Sequence, residues 1–304
     1  MAHDTANVLQ TKDFVLPEEL ANDIFKKSQT TSVLARLSGA RPQKYGVSNN
    51  MILTGTPKAE LVGESIEKSS TKPSFGNKNV TPYKVQVTMR TSSEFIWADE
   101  DYKLGVLKEL TEQAAIALGR SLDLIGIHKI NPLTGQVAVQ VKEGLIDTDK
   151  EIEVEGKLYD EAIEKACKAV LDDGFKVTGL ALDPDLSFGI ATQRDENGRK
   201  IYTDMGLGLE TNNFMGLKAA VGDTVSGKND VETDSDVIGI VGDFADAFRW
   251  GVQRVVNAKI LDSGDPDGNG DLSRTNEIAL RAEIVYGVGI MDTGAFAKVK
   301  KAQA

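Results

Sequence analysis

One stretch constrains this chain more than any other: an amphipathic strand that runs directly into a long amphipathic helix. Tyr83, Val85, Val87 and Met89 are apolar, and Lys84, Gln86, Thr88 and Arg90 between them are polar. That period of two marks a strand with one dry face. After the turn Thr91-Ser92-Ser93 and a bend at Trp97 the period changes. Leu104, Leu107, Leu110, Ala114, Leu118, Leu122 and Ile125 follow at spacings of three and four, one stripe along a helix. Asp99, Glu100 and Asp101 favour its N-terminus, and Asn131-Pro132 closes it. Carried on to Lys129 at 1.5 Å per residue, the helix spans on the order of 40 Å. It reads either as a spine for the rest of the chain or as a surface helix of an ordinary α+β enzyme.

The segments before it have different characters. Residues 1–16 carry little pattern and read as an arm, and Leu16-Pro17-Glu18-Glu19 starts a short helix with Leu20, Ile24 and Phe25 on its apolar side. Val33, Leu34 and Leu37 form a second apolar cluster. From Gly46 to Pro82 the chain is polar and has too few apolar side chains for a core of its own. Leu53, Ala59 and Leu61, with Val80 onward, look like two sides of a hairpin, which is either a mobile loop or an arm lying on a neighbouring subunit.

Beyond the helix, Val137–Val141 and Ile152–Val154 read as short strands separated by turns. Tyr159, Ile163, Ala166 and Val170 mark an amphipathic helix ended by Gly174, and Val177–Leu182 reads as a buried strand. Asp183-Pro184-Asp185 starts another helix, and Asn197-Gly198 suits a tight turn. Two long strands end the chain, one from about Phe248 to Leu261 and the other alternating from Ile278 to Ile290.

Composition narrows the function classes. The 304 residues carry a net charge of -11 and show no basic block, which argues against tight wrapping of nucleic acid. No apolar run approaches the length of a membrane span, and Met1-Ala2-His3-Asp4 lacks the blocks of a signal peptide. The single cysteine, Cys167, falls on the apolar side of a helix and reads as an inert thiol. The two histidines, His3 and His128, are not placed for a nucleophile–base pair, and Gly206-Leu207-Gly208 lacks the third glycine of a dinucleotide fingerprint. The expectation is a non-enzyme without a cofactor.

One metal-like pattern stands between the last two strands. Asp265, Asp267, Asn269 and Asp271 occupy positions one, three, five and seven of a calcium loop, with Gly270 at six. Position twelve is Asn276 rather than Glu, and the flanks read as strands rather than helices. The alternatives are a Ca²⁺ site and a solvated acidic turn.

In this order the segments resemble the major capsid protein family of tailed bacteriophages. The likeness is carried by Val15–Glu19 with Ser32-Val33-Leu34, by Ala59–Glu64, and by Phe75 with Thr81–Phe95. It continues through Gly216–Val221, Val241–Phe244 and Gly294–Val299. The resemblance implies an α+β fold with an N-terminal arm over 1–45, an extended loop over 46–82 and a peripheral domain with the spine helix over 83–156. It further implies an axial α/β domain over 157–251 and returning C-terminal strands over 252–304. Implied partners are other copies in hexamers and pentamers, a separate scaffolding protein and a portal, with double-stranded DNA enclosed and no membrane. The implied location is the virion capsid, assembled in the host cytoplasm. An arm starting within about fifteen residues of Met1 implies a mature form or a separate scaffold. Lys58, Lys68, Lys72 and Lys78 lie in the loop, but no crosslinking partner is evident. An encapsulin-like nanocompartment and a calcium-dependent surface protein are the alternatives.

Overall fold

The computed structural model describes residues 27, 31–44, 46–53, 59–64, 67–68, 70, 75–94, 100–203, 205, 212–232 and 235–301. The predicted helix start at Leu16, the bend at Trp97, Asp99 and the Gly206–Gly208 stretch lie outside them. Helix α1 is Val33–Leu37, and strand β1 is Ser48–Leu53. β2 is Phe75–Ser92, and the spine helix α2 is Glu100–Asp123. β3 is Glu151–Glu153, α3 Tyr159–Asp172, β4 Gly179–Leu182 and α4 Pro184–Ala191. β5 is Asn213–Phe214, β6 Leu217–Val221, β7 Val237–Gly242 and β8 Phe248–Leu261. The chain closes with α5 Leu272–Thr275, β9 Glu277–Ile290 and β10 Phe296–Lys300.

The alternation in β2 does what its period requires. Tyr83, Val85, Val87 and Met89 stand opposite Tyr286, Ile284, Ala282 and Leu280 of antiparallel β9, so both strands turn one apolar face to the same side. Against that face pack Ala114, Leu118 and Leu122 of α2. The Tyr286 hydroxyl donates to the Leu118 carbonyl at 3.0 Å, which ties sheet to helix in a dry layer. The sheet order is β1-β2-β9-β8. Its other face is crossed by the chain at Arg41–Gln43. A Cβ on Gly251 would meet the Arg41 carbonyl at 1.9 Å, so only glycine lets the backbones approach there.

The spine helix departs from its predicted end. The α-helix stops at Asp123 and the chain continues as a π-helical turn, Leu124–His128, closed by Lys129 at φ 59°. All five residues of the turn are buried, so tertiary packing overrides the simple helical period. Gly126 sits against α1, where a Cβ would lie 2.7 Å from Leu34 Cδ1.

The hairpin is also shifted from its predicted sides. Ser48 pairs with Val80 and Leu53 with Phe75, whereas Ala59 and Leu61 lie outside any strand and Leu61 is fully exposed. Val137–Val141 is no strand. Val137 forms an isolated bridge to Ile130, and Val139 is 92% exposed, because no sheet neighbour is present to use the alternation.

A second, mixed sheet has the order β3-β10-β7-β4-β6-β5. Its core joins Leu180 and Leu182 of β4 with Val241 of β7 and Val299 of β10, covered by Ile163, Ala166 and Val170 of α3 and Ile190 of α4. The helix signals hold: Asp183 caps α4 by accepting from Asp185 N at 2.8 Å, and Gly174 takes φ 81° beyond α3. β3, from within the 83–156 stretch, pairs with β10 in this sheet rather than with the sheet under α2.

Candidate functional site: the acidic tip and a buried junction

The loop from Asp262 to Asp271 joins β8 to β9 and gathers around an arginine from a third strand. Arg90 Nε donates to Asp267 Oδ2 at 2.8 Å, and Nη1 donates to Glu277 at 3.0 Å. Nη2 donates to the Gly270 carbonyl at 2.9 Å, to Asp265 at 3.4 Å and to the second oxygen of Asp267. A planar guanidinium suits this forked contact. Arg281 adds a bond from Nη2 to the Pro266 carbonyl at 2.6 Å. These hydrogen bonds hold the Asp267 carboxyl well below the usual carboxylate range and raise Arg90 further.

The four predicted ligands therefore divide. Asp265 and Asp267 come together on Arg90. Asn269 leans on Asp267 through its own Nδ2, at 3.1 Å, and Asp271 caps α5 by accepting from Ser273 N at 2.8 Å. Asn276 ends that helix in the left-handed region at φ 52°. Ca²⁺ takes six to eight oxygens. Among the described residues no group of three or more His, Cys, Asp or Glu is arranged to hold a metal.

Other singled-out residues are scattered. Lys78 pairs with Glu143 at 2.8 Å, Lys68 is exposed, and Lys58, Lys72 and His3 lie outside the described residues. Cys167 is half-buried, and burial pushes its thiol up.

A second polar centre escaped the sequence reading. Asp123, the last residue of α2, is fully buried. Its Oδ1 accepts from Ser32 Oγ at 2.6 Å and Leu34 N at 3.0 Å, and its Oδ2 from Val33 N at 2.8 Å and Thr224 Oγ1 at 2.8 Å. It thus caps α1 from another helix, reinforcing the Ser32 cap. Burial raises its pKa, and the four donors hold that rise back. Next to it, His128 Nε2 lies 3.0 Å from the Thr224 carbonyl, and burial lowers the imidazole pKa. The available signal was an acid within the apolar run Leu122–Ile127. For Arg90 the only signal was its polar place in the strand alternation.

The model of the phage capsid family matches residues 12–301, and the chain belongs to that family, the major capsid proteins of tailed phages. Over 310 aligned residues the chain is 24% identical to the probable major capsid protein of Mycobacterium phage D29, covering 97% of this chain and 94% of that one. A solved structure from Mycobacterium phage Ogopogo is similar at 48% identity and a TM-score of 0.81, over 89% of this chain and 92% of that one. One from Gordonia phage Cozz matches at 28% identity and 0.77, over 90% and 87%. A capsid chain of a native GTA particle, solved with C5 symmetry, shares the fold at 12% identity and 0.62, over 100% and 96%.

Proposed function

We propose that this chain assembles as hexamers and pentamers into an icosahedral head that encloses double-stranded DNA. The observation that carries the reading is the family match over residues 12–301 on an α+β chain with a spine helix under a long-stranded sheet. A chain of the same fold in the capsid of a GTA particle supports a shell-forming role. The β1–β2 hairpin supports a subunit contact, since Met51 is 72% exposed on it and the sequence from 46 to 82 has too few apolar side chains for a core of its own. In this reading 46–82 is the extended loop, the sheet under α2 the peripheral domain and the six-stranded sheet the axial domain. Assembly takes place in the host cytoplasm with a separate scaffolding protein and a portal. A net charge of -11 suits a container that must release its genome. At the tip, where copies meet, Ca²⁺ bound through Asp265, Asp267, Asn269 and Asp271 is a further part of the proposal. Electron microscopy of expressed protein tests the assembly reading: closed shells with capsomers are expected, and dispersed monomers under all scaffold and salt conditions would overturn it.

A further inference from the structure

Three parts of the molecule distant in sequence meet on the Asp123 carboxylate. One is the end of the spine helix, which supplies it. The second is α1, whose Ser32, Val33 and Leu34 donate to it. The third is the strap 222–232 that links β6 to β7 and supplies Thr224. Each oxygen takes two donors, and Oδ2 is shared between α1 and the strap. A charge in a dry site cannot give up donors without cost, because no water replaces them.

The strap has its own holds on the spine. Arg120 Nη1 grips Asp223 at 2.7 and 2.9 Å, and Nη2 reaches Asp230. His128 faces the Thr224 carbonyl. Gly227, at φ 64°, closes over the imidazole so tightly that a Cβ would lie 3.0 Å from Nε2. Strap and arm helix also touch directly, since a Cβ on Gly222 would lie 2.4 Å from Val33 Cγ2. Arg36 Nη2 donates to the Val221 carbonyl beside it.

We propose that Asp123 is a two-way latch, through which α1 and the 222–232 strap hold each other on the spine and leave it together. The consequence is mechanical. α1 leads into the segment lying on the four-stranded sheet, and the strap joins two interior strands of the six-stranded sheet. Lifting either piece strips donors from the same carboxylate and loosens the other. The latch rests on this geometry and stands independently of the shell reading.

Hydrogen exchange on the full-length protein tests it. Ser32→Ala removes one donor from the arm side, and Thr224→Val removes one from the strap side. Ser32→Ala is expected to speed exchange in 222–232 as well as in 33–38, by about fivefold, roughly the equivalent of one net hydrogen bond. Thr224→Val is expected to do the reverse, and the double variant to give less than the product of the two. Ile163→Val, in the α3 core, controls for a general loss of stability and should favour neither segment. Asp123→Asn should release both, and if it does not fold the single-donor variants carry the test. Effects confined to the mutated side, a fully multiplicative double variant, or a uniform loss like that of the control would each overturn the latch.

Discussion

The tip and the junction are both built on carboxylates, yet they neutralise them in opposite ways. At the tip, Asp267 and Asp265 face solvent and are held by the guanidinium of Arg90. At the junction, Asp123 has left water altogether and is held by two hydroxyls and two backbone amides, none of them charged. Near water a cation satisfies an acid with little net gain, because solvent competes for both partners. In the interior four aimed dipoles can take the place of hydration, and every missing one is felt in full. The tip is therefore a trimmed surface, and the junction is part of the core.

Five measurements sharpen or break that contrast. The largest effect belongs to the core around the junction: Leu118→Ala should cost about 2–5 kcal/mol in denaturant unfolding, since Leu118 is 2% exposed between α2 and the sheet. A loss below about 0.5 kcal/mol, the scale of a surface change, would show that the stripe does not face a core. In the same core, Asp123→Leu should cost at least as much, about 1–3 kcal/mol for each of the four donors it strands. Arg90→Gln comes third. It should speed exchange across 262–276 while moving the global melting temperature less than either core variant, and a larger shift would put the tip in the folding core.

Acid separates the two centres by sign. The depressed Asp267 carboxyl contributes stability that is present above the ordinary carboxylate range, about pH 4, and is lost as pH falls through its lower folded value. The raised Asp123 does the opposite. The folded state takes up its proton first, so this group favours folding as pH falls through its raised value toward about 4. Unfolding measured against pH should thus show a shallower acid-side fall in Asp267→Asn and a steeper one in Asp123→Asn. Matching profiles for the two variants would abolish the distinction. Calcium is the smallest expected effect: Ca²⁺ would have to share Asp265 and Asp267 with Arg90, so chelator should lower particle melting slightly in wild type and not in Asp267→Asn, and no change in either would leave the loop a plain solvated turn.

How much was legible follows from where each signal lies. The β2 alternation, the α2 stripe, the α3 and α4 boundaries and both late strands rest on neighbouring residues, and each appears in place. The π turn at Leu124 rests on packing against Leu34 and Phe248, which no local period records. The Asp265–Asp271 spacing was plain, but its partner Arg90 lies 177 residues upstream of Asp267. Asp123 is one acid among many until Ser32 and Thr224 are brought to it, 91 and 101 residues away in sequence.

The close passage of Arg41 over Gly251 has a bearing on the order in which the molecule is made. The segment after α1 is fastened by Trp250 Nε1 to the Ser38 carbonyl at 2.9 Å, across 212 residues, and by Arg41 N to the Trp250 carbonyl. β8, which supplies the bare glycine surface, emerges from the ribosome late. At about 5–20 residues per second, Ser38 waits on the order of 10–40 s for its partner strand to exist. During that interval the growing chain has no site on which to lay this segment, and any factor that shields it must bind co-translationally.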